Sequence, residues 1–175
     1  MEPVVYFGLC LLGCLAFSPF AEGARDPSLP RPRSPCPPGA FYYQGMCYEY
    51  LEDAASWEDA ENSCQYWRGG HLASIQSSED EKEISNYIRK ITRNNTVWIG
   101  FHAERVSSKL KWGWSDGFAY FSGSALWDGR RPSFTSTSNQ CLALHNVQDS
   151  TASARWAQEN CSNIYPYLCK YRAAY

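Results

Sequence analysis

After residue 20 the 175-residue chain has no apolar run approaching a membrane span, which needs about 20 such residues. It has no Cys-x-x-Cys pair, the tight spacing that a cytosolic zinc protein more often shows. It has no basic block and no acidic tail, so charge points to neither nucleic acid nor a polycation as partner. Its histidines are three and scattered, His71, His102 and His145. His102 and His145 could meet in space, but two histidines without a third ligand do not make a zinc site. There is no His-Glu-x-x-His helix and no Gly-x-Ser-x-Gly elbow, the signatures of a zinc hydrolase and of a serine hydrolase. The residues therefore offer no catalytic set, no metal centre and no cofactor, and the chain reads as a protein that is not an enzyme.

What it has is cysteine. Eight are present, and Cys10 and Cys14 lie in an apolar stretch from Val4 to Phe20 built on Leu9, Leu11, Leu12, Leu15 and Phe17. That stretch is short, carries Pro19, and is followed by Ala21-Glu22-Gly23, a small-x-small cleavage pattern. The expectation is a signal peptide over 1–23, and a secreted, extracellular mature protein in an oxidising compartment. Its n-region is unusual, with Glu2 and no Lys or Arg. Loss of Glu2 and Glu22 leaves 16 acids against 16 bases, so the mature chain is near neutral. Six cysteines remain: Cys36, Cys47, Cys64, Cys141, Cys161 and Cys169. An even set suits three disulfides and no free thiol, although six cysteines allow 15 pairings. Spacing narrows these. Cys36 and Cys47 are close enough to staple a small hairpin, Cys141 and Cys161 bracket one late segment, and Cys64 and Cys169 would then tie an early helix to the C-terminal end.

The stretch 24–35 is a proline-rich lead, punctuated by Arg25, Arg31 and Arg33. Proline removes backbone donors and favours extended chain. Residues 36–172 are one domain's worth, with no internal repeat. Ser56 before Trp57-Glu58-Asp59 predicts a helix start. Trp57, Ala60 and Cys64 follow at helical spacing, and Gly69-Gly70 stops the run. Ser77 or Ser78 caps a second helix that opens on Glu79-Asp80-Glu81 and carries the stripe Ile84, Tyr87, Ile88 and Ile91. Short β-prone pieces follow at 97–101, 111–114, 140–144 and 167–171. The fold class is α+β: two helices with small antiparallel sheets and a long loop region, stapled by disulfides. Seven Trp, twelve Tyr and eight Phe supply the large side chains that a loop-rich domain needs for its core.

In this order the pieces resemble a C-type lectin-like domain of the long form. Those pieces are the hairpin Cys36 to Cys47-Tyr48, the helix of Trp57, Ala60 and Cys64, His71-Leu72-Ala73-Ser74-Ile75, Trp98-Ile99-Gly100, Trp112-Gly113-Trp114-Ser115-Asp116-Gly117, Trp127, and Cys141, Trp156, Cys161 and Cys169. The resemblance implies the pairings Cys36–Cys47, Cys64–Cys169 and Cys141–Cys161. Among soluble single-domain members it is most similar to the secreted regenerating-protein (lithostathine-like) group, on Trp98-Ile99-Gly100-Phe101-His102 and Leu168-Cys169-Lys170-Tyr171-Arg172. That implies a lectin, a carbohydrate-binding or receptor-binding function, with a glycan or a cell-surface receptor as partner.

Sugar-binding members of the family hold calcium at the long loop with a Glu-Pro-Asn or Gln-Pro-Asp triplet and a Trp-Asn-Asp triplet. Calcium wants about 6–8 hard oxygen ligands. Here Arg131-Pro132-Ser133 stands ten residues before Cys141, and Trp156-Ala157-Gln158 five before Cys161. A cation and a methyl replace ligands, so the resemblance implies binding without calcium at that place. The candidate ligand face is the long loop between Gly117 and Cys141 with the strand around Trp156. Arg130 and Arg131 suit an anionic polysaccharide through paired hydrogen bonds, and Trp127, Phe134 and Trp156 offer rings for stacking. Two alternatives stand beside this reading. One is an extracellular-matrix or biomineral-associated structural protein, addressed through Glu79, Asp80, Glu81 and Glu83. The other is a venom-type lectin-like subunit, against which counts the lack of any cysteine between Cys64 and Cys141 for an interchain disulfide. Asn94-Asn95-Thr96 is a glycosylation acceptor in a polar turn, so the protein is expected to be a glycoprotein. Asn160-Cys161-Ser162 has a cysteine in its middle and is the poorer acceptor.

Overall fold

A computed structural model describes residues 34–120, 138, 140–149 and 155–175, with Arg155 as backbone only. The signal peptide over 1–23, the lead as far as residue 33, and Trp127, Arg130, Arg131 and Phe134 lie outside the described residues.

Strands β1 (Phe41–Tyr43) and β2 (Met46–Ala55) form the N-terminal hairpin. Helix α1 (Trp57–Arg68) follows, capped by the Ser56 hydroxyl on the Asp59 N–H. Gly69 ends it at φ 61°, passing its N–H to the Gln65 carbonyl while Gly70 N–H reaches Cys64. Only glycine adopts that left-handed cap at no steric cost. Gly70 is needed for another reason: a Cβ there would stand 2.3 Å from the Lys170 carbonyl oxygen.

After β3 (His71–Leu72), helix α2 (Ser78–Ile91) opens with a capping box. Ser77 accepts from the Asp80 N–H and Asp80 accepts from the Ser77 N–H. Ile84, Tyr87 and Ile88 of the expected stripe are buried, whereas Ile91 in the last turn is exposed. The acids of the first turn are not one solvent face. Asp80 is consumed by the cap and Glu81 is buried.

Strands β4 (Thr96–Val106), β5 (Lys109–Trp114), β6 (Cys141–His145), β7 (Arg155–Glu159) and β8 (Tyr165–Arg172) complete the chain. The sheet runs β1-β2-β8-β4-β6-β7, with β3 on β8 and β5 on β4. All pairs are antiparallel except β4 with β8. An early strand and the last strand thus share the long β2–β8 ladder, Met46 facing Arg172 and Leu51 facing Tyr167.

Alternation along β4 divides the interior. Val97 and Ile99 join Phe101, Leu142, Leu144, Leu168 and the α2 residues Ile84 and Ile88. Trp98 faces the other way, with Trp57, Ala60, Leu72 and the sulfurs of Cys64 and Cys169. Both indoles are satisfied, Trp57 Nε1 donating to the Ile99 carbonyl at 2.8 Å and Trp98 Nε1 to Ala55 at 3.0 Å, as buried tryptophans require. Three disulfides join Cys36–Cys47, Cys64–Cys169 and Cys141–Cys161. The second closes 105 residues. By loop entropy a closure of ~100 residues restrains the unfolded chain by about 4–5 kcal/mol.

Candidate functional site

Strand β7 carries the second calcium-triplet position. Its register sets Trp156 against Leu144, Ala157 against Ala143, Gln158 against Leu142 and Glu159 against Cys141. Trp156 is half-buried, its ring 5.5 Å from Trp114 edge-on and 6.5 Å from Phe101. It is a wall of the core, and stacking on a sugar ring is not its first employment. Ala157 brings a methyl and Gln158 a neutral amide, so this half of the site supplies no anionic oxygen.

The nearest carboxylate on the strand, Glu159, is engaged. Asn163 Nδ2 and the Tyr165 hydroxyl donate to its Oε2 at 2.9 and 3.4 Å, and His145 Nε2 lies 3.0 Å from its Oε1. Among the described residues no three His, Cys, Asp or Glu side chains gather as a metal cluster. These donors do not fit calcium, which demands several hard oxygens with negative charge among them.

The histidines serve elsewhere. His102 is the register partner of Cys141 and His145 that of Thr96, so the two sit at opposite ends of the β4–β6 ladder and do not meet. His102 stacks on Trp57 with centroids 4.3 Å apart and reaches Glu104 at 3.2 Å. His71 Nδ1 stands 2.6 Å from Glu61 Oε1.

Glu61 was hidden in the sequence because it flanks the helical stripe of Trp57, Ala60 and Cys64 and reads as surface. It is buried. Besides His71 it accepts from Gln65 Nε2 at 2.8 Å, the Leu72 N–H at 2.9 Å and the Ser115 hydroxyl at 2.9 Å. It ties α1 to β3 and to the residue just past β5. It also lines a recess of about 330 Å³ between α1 and the β4–β5 hairpin, with His102, Glu104 and Lys111.

A larger recess, about 620 Å³, lies between the end of α1, β8 and the turn at 115–118. At its floor Lys170 Nζ donates to Ser74 Oγ at 2.8 Å and stands 3.8 Å from Asp116, and the Ser74 hydroxyl donates to Asp116. Burial holds the Lys170 ammonium below its usual pKa, against the pull of Asp116. Ser74 is 1% exposed, so its hydroxyl is closed to a substrate and the Ser–Lys–Asp group knits the fold.

Asn94 is exposed in the turn between α2 and β4, and its Nδ2 donates to the Tyr50 hydroxyl at 2.8 Å and Thr92 Oγ1 at 3.2 Å. No helix among the described residues is long and apolar enough to cross a membrane.

Comparison with known proteins gives a match to the Lectin C-type domain family over residues 53–171. Regenerating islet-derived protein 4 of Homo sapiens is 33% identical over 169 residues, covering 94% of this chain and 94% of that one. Lithostathine-2 of Mus musculus is 32% identical over 174 residues, covering 94% and 96%. Among solved structures, human lithostathine superposes with TM-score 0.63 at 27% identity, over 78% of this chain and 90% of that chain. A calcium-independent type II antifreeze protein superposes with TM-score 0.59 at 29% identity, over 79% and 95%.

Proposed function

The chain belongs to the C-type lectin family, in its regenerating-protein group, and from that premise we propose that it is a secreted binding protein that recognises glycans, or a cell-surface partner, without calcium at the usual sugar site. The observation that carries this is the β7 pair Ala157 and Gln158, a methyl and an amide where calcium-binding members place an Asn and a carboxylate. The likeness to a calcium-independent antifreeze protein supports the same reading. It is a binding reading and not a catalytic one: each histidine is held by a carboxylate, and Ser74 is sealed.

The proposal carries the processing with it. The signal peptide 1–23 is removed, the lead 24–35 follows, and 36–172 forms the lectin-like domain. N-terminal sequencing of the secreted protein should begin at Ala24. A glycan on Asn94 would take one of the two Nδ2 hydrogens that now serve Tyr50 and Thr92, and peptide mass mapping before and after glycosidase treatment checks it.

For the ligand we keep the long loop, with Arg130 and Arg131 as anion-binding groups and Trp127, Phe134 and Trp156 beside them. A guanidinium holds sulfate or carboxylate with paired hydrogen bonds, each worth about 1.5–3 kcal/mol by mutation. The Arg130→Ala/Arg131→Ala double variant should bind a sulfated polysaccharide roughly tenfold or more weakly. Added salt should weaken the wild type, since exposed pairs are screened over about 8–10 Å. Equal binding by both proteins, or indifference to salt, removes the arginines from the site.

A further inference from the structure

The last turn of α1 carries two aromatic rings on its outside. Tyr66 and Trp67 are 79% and 70% exposed, and neither belongs to a core cluster. The buried stripe of the helix, Trp57, Ala60, Glu61 and Cys64, ends before them. Tryptophan is highly buried on average, so an indole left this open stands apart from the other tryptophans of the domain.

The two rings are set against each other. Their centroids are 4.8 Å apart and their planes meet at 87°, so a face of each ring bounds one inside corner. The backbone beneath them is held at three points. Cys64 is bonded to Cys169, the Arg68 guanidinium forks onto Glu49 at 2.5 and 2.7 Å, and Gly69 closes the helix on the Gln65 carbonyl. A platform already held in place loses little freedom when it is covered. Asn62 and Ser63 stand one turn back, four residues before Tyr66 and Trp67 and so on the same face. Asn62 is exposed. Ser63 Oγ accepts from the Tyr167 hydroxyl at 2.8 Å and keeps its own O–H to donate.

Size and charge select what covers these rings. Two rings so exposed offer roughly 300 Å² of apolar surface, at about 150–250 Å² for a whole aromatic side chain. A stable protein interface takes about 800 Å² from each partner, so two rings among polar neighbours fall short of a dimer face. A membrane surface draws helices whose polar face is basic. Helix α1 opens on Glu58 and Asp59, and its one base, Arg68, is spent on Glu49. The same shortage of a free cation on the helix gives an anionic ligand nothing to pair with. A small, flat, uncharged face edged with hydroxyls fits both limits. We propose that Tyr66 and Trp67 form a second glycan site, a stacking platform for one residue of a neutral polysaccharide whose ring substituents are equatorial, with the Asn62 amide and the Ser63 hydroxyl bonding the edge of that ring. It rests on the reading of the protein as a glycan binder, but not on Arg130 or Arg131.

The test is titration of the secreted protein, in chelator, with cellohexaose and chitohexaose, two neutral β-1,4-linked probes, and with a sulfated heparin oligomer for comparison. Binding is read by calorimetry and by shifts of the backbone amide and indole N–H groups. The variants are Tyr66→Ala/Trp67→Ala, the conservative Tyr66→Phe/Trp67→Phe, and Arg130→Ala/Arg131→Ala. The proposal expects shifts at Asn62, Tyr66 and the Trp67 indole, and affinity for a neutral probe lower by about tenfold or more in the alanine variant. The phenylalanine and arginine-pair variants keep that affinity within a few-fold, and added salt leaves it unchanged. Equal affinity in the wild type and the alanine variant overturns this site, as does failure of the wild type to bind either neutral probe. Sulfated-probe binding lost only in the arginine-pair variant then leaves the glycan reading standing, and failure of all three probes passes that broader reading to a glycan array. Self-association of the wild type, read by sedimentation and lost in the alanine variant, assigns the rings to a second copy of the chain and likewise overturns the site.

Discussion

Glu61 and Ser115, 54 residues apart in sequence, are joined by a 2.9 Å hydrogen bond inside the domain. The same carboxylate serves His71, Gln65 and the Leu72 N–H, so one acid in α1 fixes the short strand β3 and the start of the long loop. Truncation would leave the Leu72 amide and the Ser115 hydroxyl unpaired, each at about 1–3 kcal/mol. Glu61→Ala is expected to destabilise the folded, disulfide-intact protein by about 3 kcal/mol or more in denaturant titration. Glu61→Gln, which keeps an acceptor oxygen, should cost visibly less. Equal stability of the two variants would show that the hub contributes only packing.

Gly100 sits where no side chain fits. A Cβ there would stand 2.5 Å from the Leu72 carbonyl oxygen and 2.8 Å from Ser115 Oγ. Overpacking of this kind costs about 1–3 kcal/mol, so Gly100→Ala should lower the thermal midpoint clearly. Unchanged melting would mean that β3 shifts freely, against the Glu61 account.

Glu49 gives a pH signature. Its carboxylate accepts from Arg68 Nε and Nη2 at 2.5 and 2.7 Å and from the Tyr171 hydroxyl at 2.7 Å. The Arg68 hydrogen bonds hold its pKa below the usual carboxylate value, with burial opposing. A depressed pKa stabilises the folded state above the unfolded value, about 4.3, and that contribution is lost as pH falls through the folded value. Glu49→Gln should therefore be less stable than wild type at pH 7, with the gap closing below about pH 4. A gap that persists unchanged at pH 2 contradicts the charge argument.

The thiol count is directly measurable. All six cysteines from Cys36 to Cys169 are paired, so alkylation of the unreduced mature protein should label none. Label on Cys36 or Cys47 would remove the N-terminal staple.

Much of this fold was legible. Trp98-Ile99-Gly100, the two capped helices and the cysteine order are local signals, and each maps onto one element. The ends of strands were less so. β4 runs on to Val106, past the expected 101, because its pairing with β5 continues through Glu104 and Arg105, exposed residues that carry no apolar signal. β8 begins at Tyr165 because its register with β2 continues beyond the apolar stretch.

The site was the harder part. Lys170 reads as a surface lysine, and its burial depends on Ser74, 96 residues away, and on Asp116. The acids at 79–83 read as one cluster, and only the helix geometry reveals that Asp80 caps and Glu81 is buried.

The central claim is glycan recognition without calcium beside Ala157 and Gln158. The direct measurement is a glycan array probed with the same protein sample in calcium and in excess chelator. The account predicts the same bound glycans at the same strength in both. Binding abolished by chelator and restored by calcium, with an ion found between the long loop and β7, would contradict it.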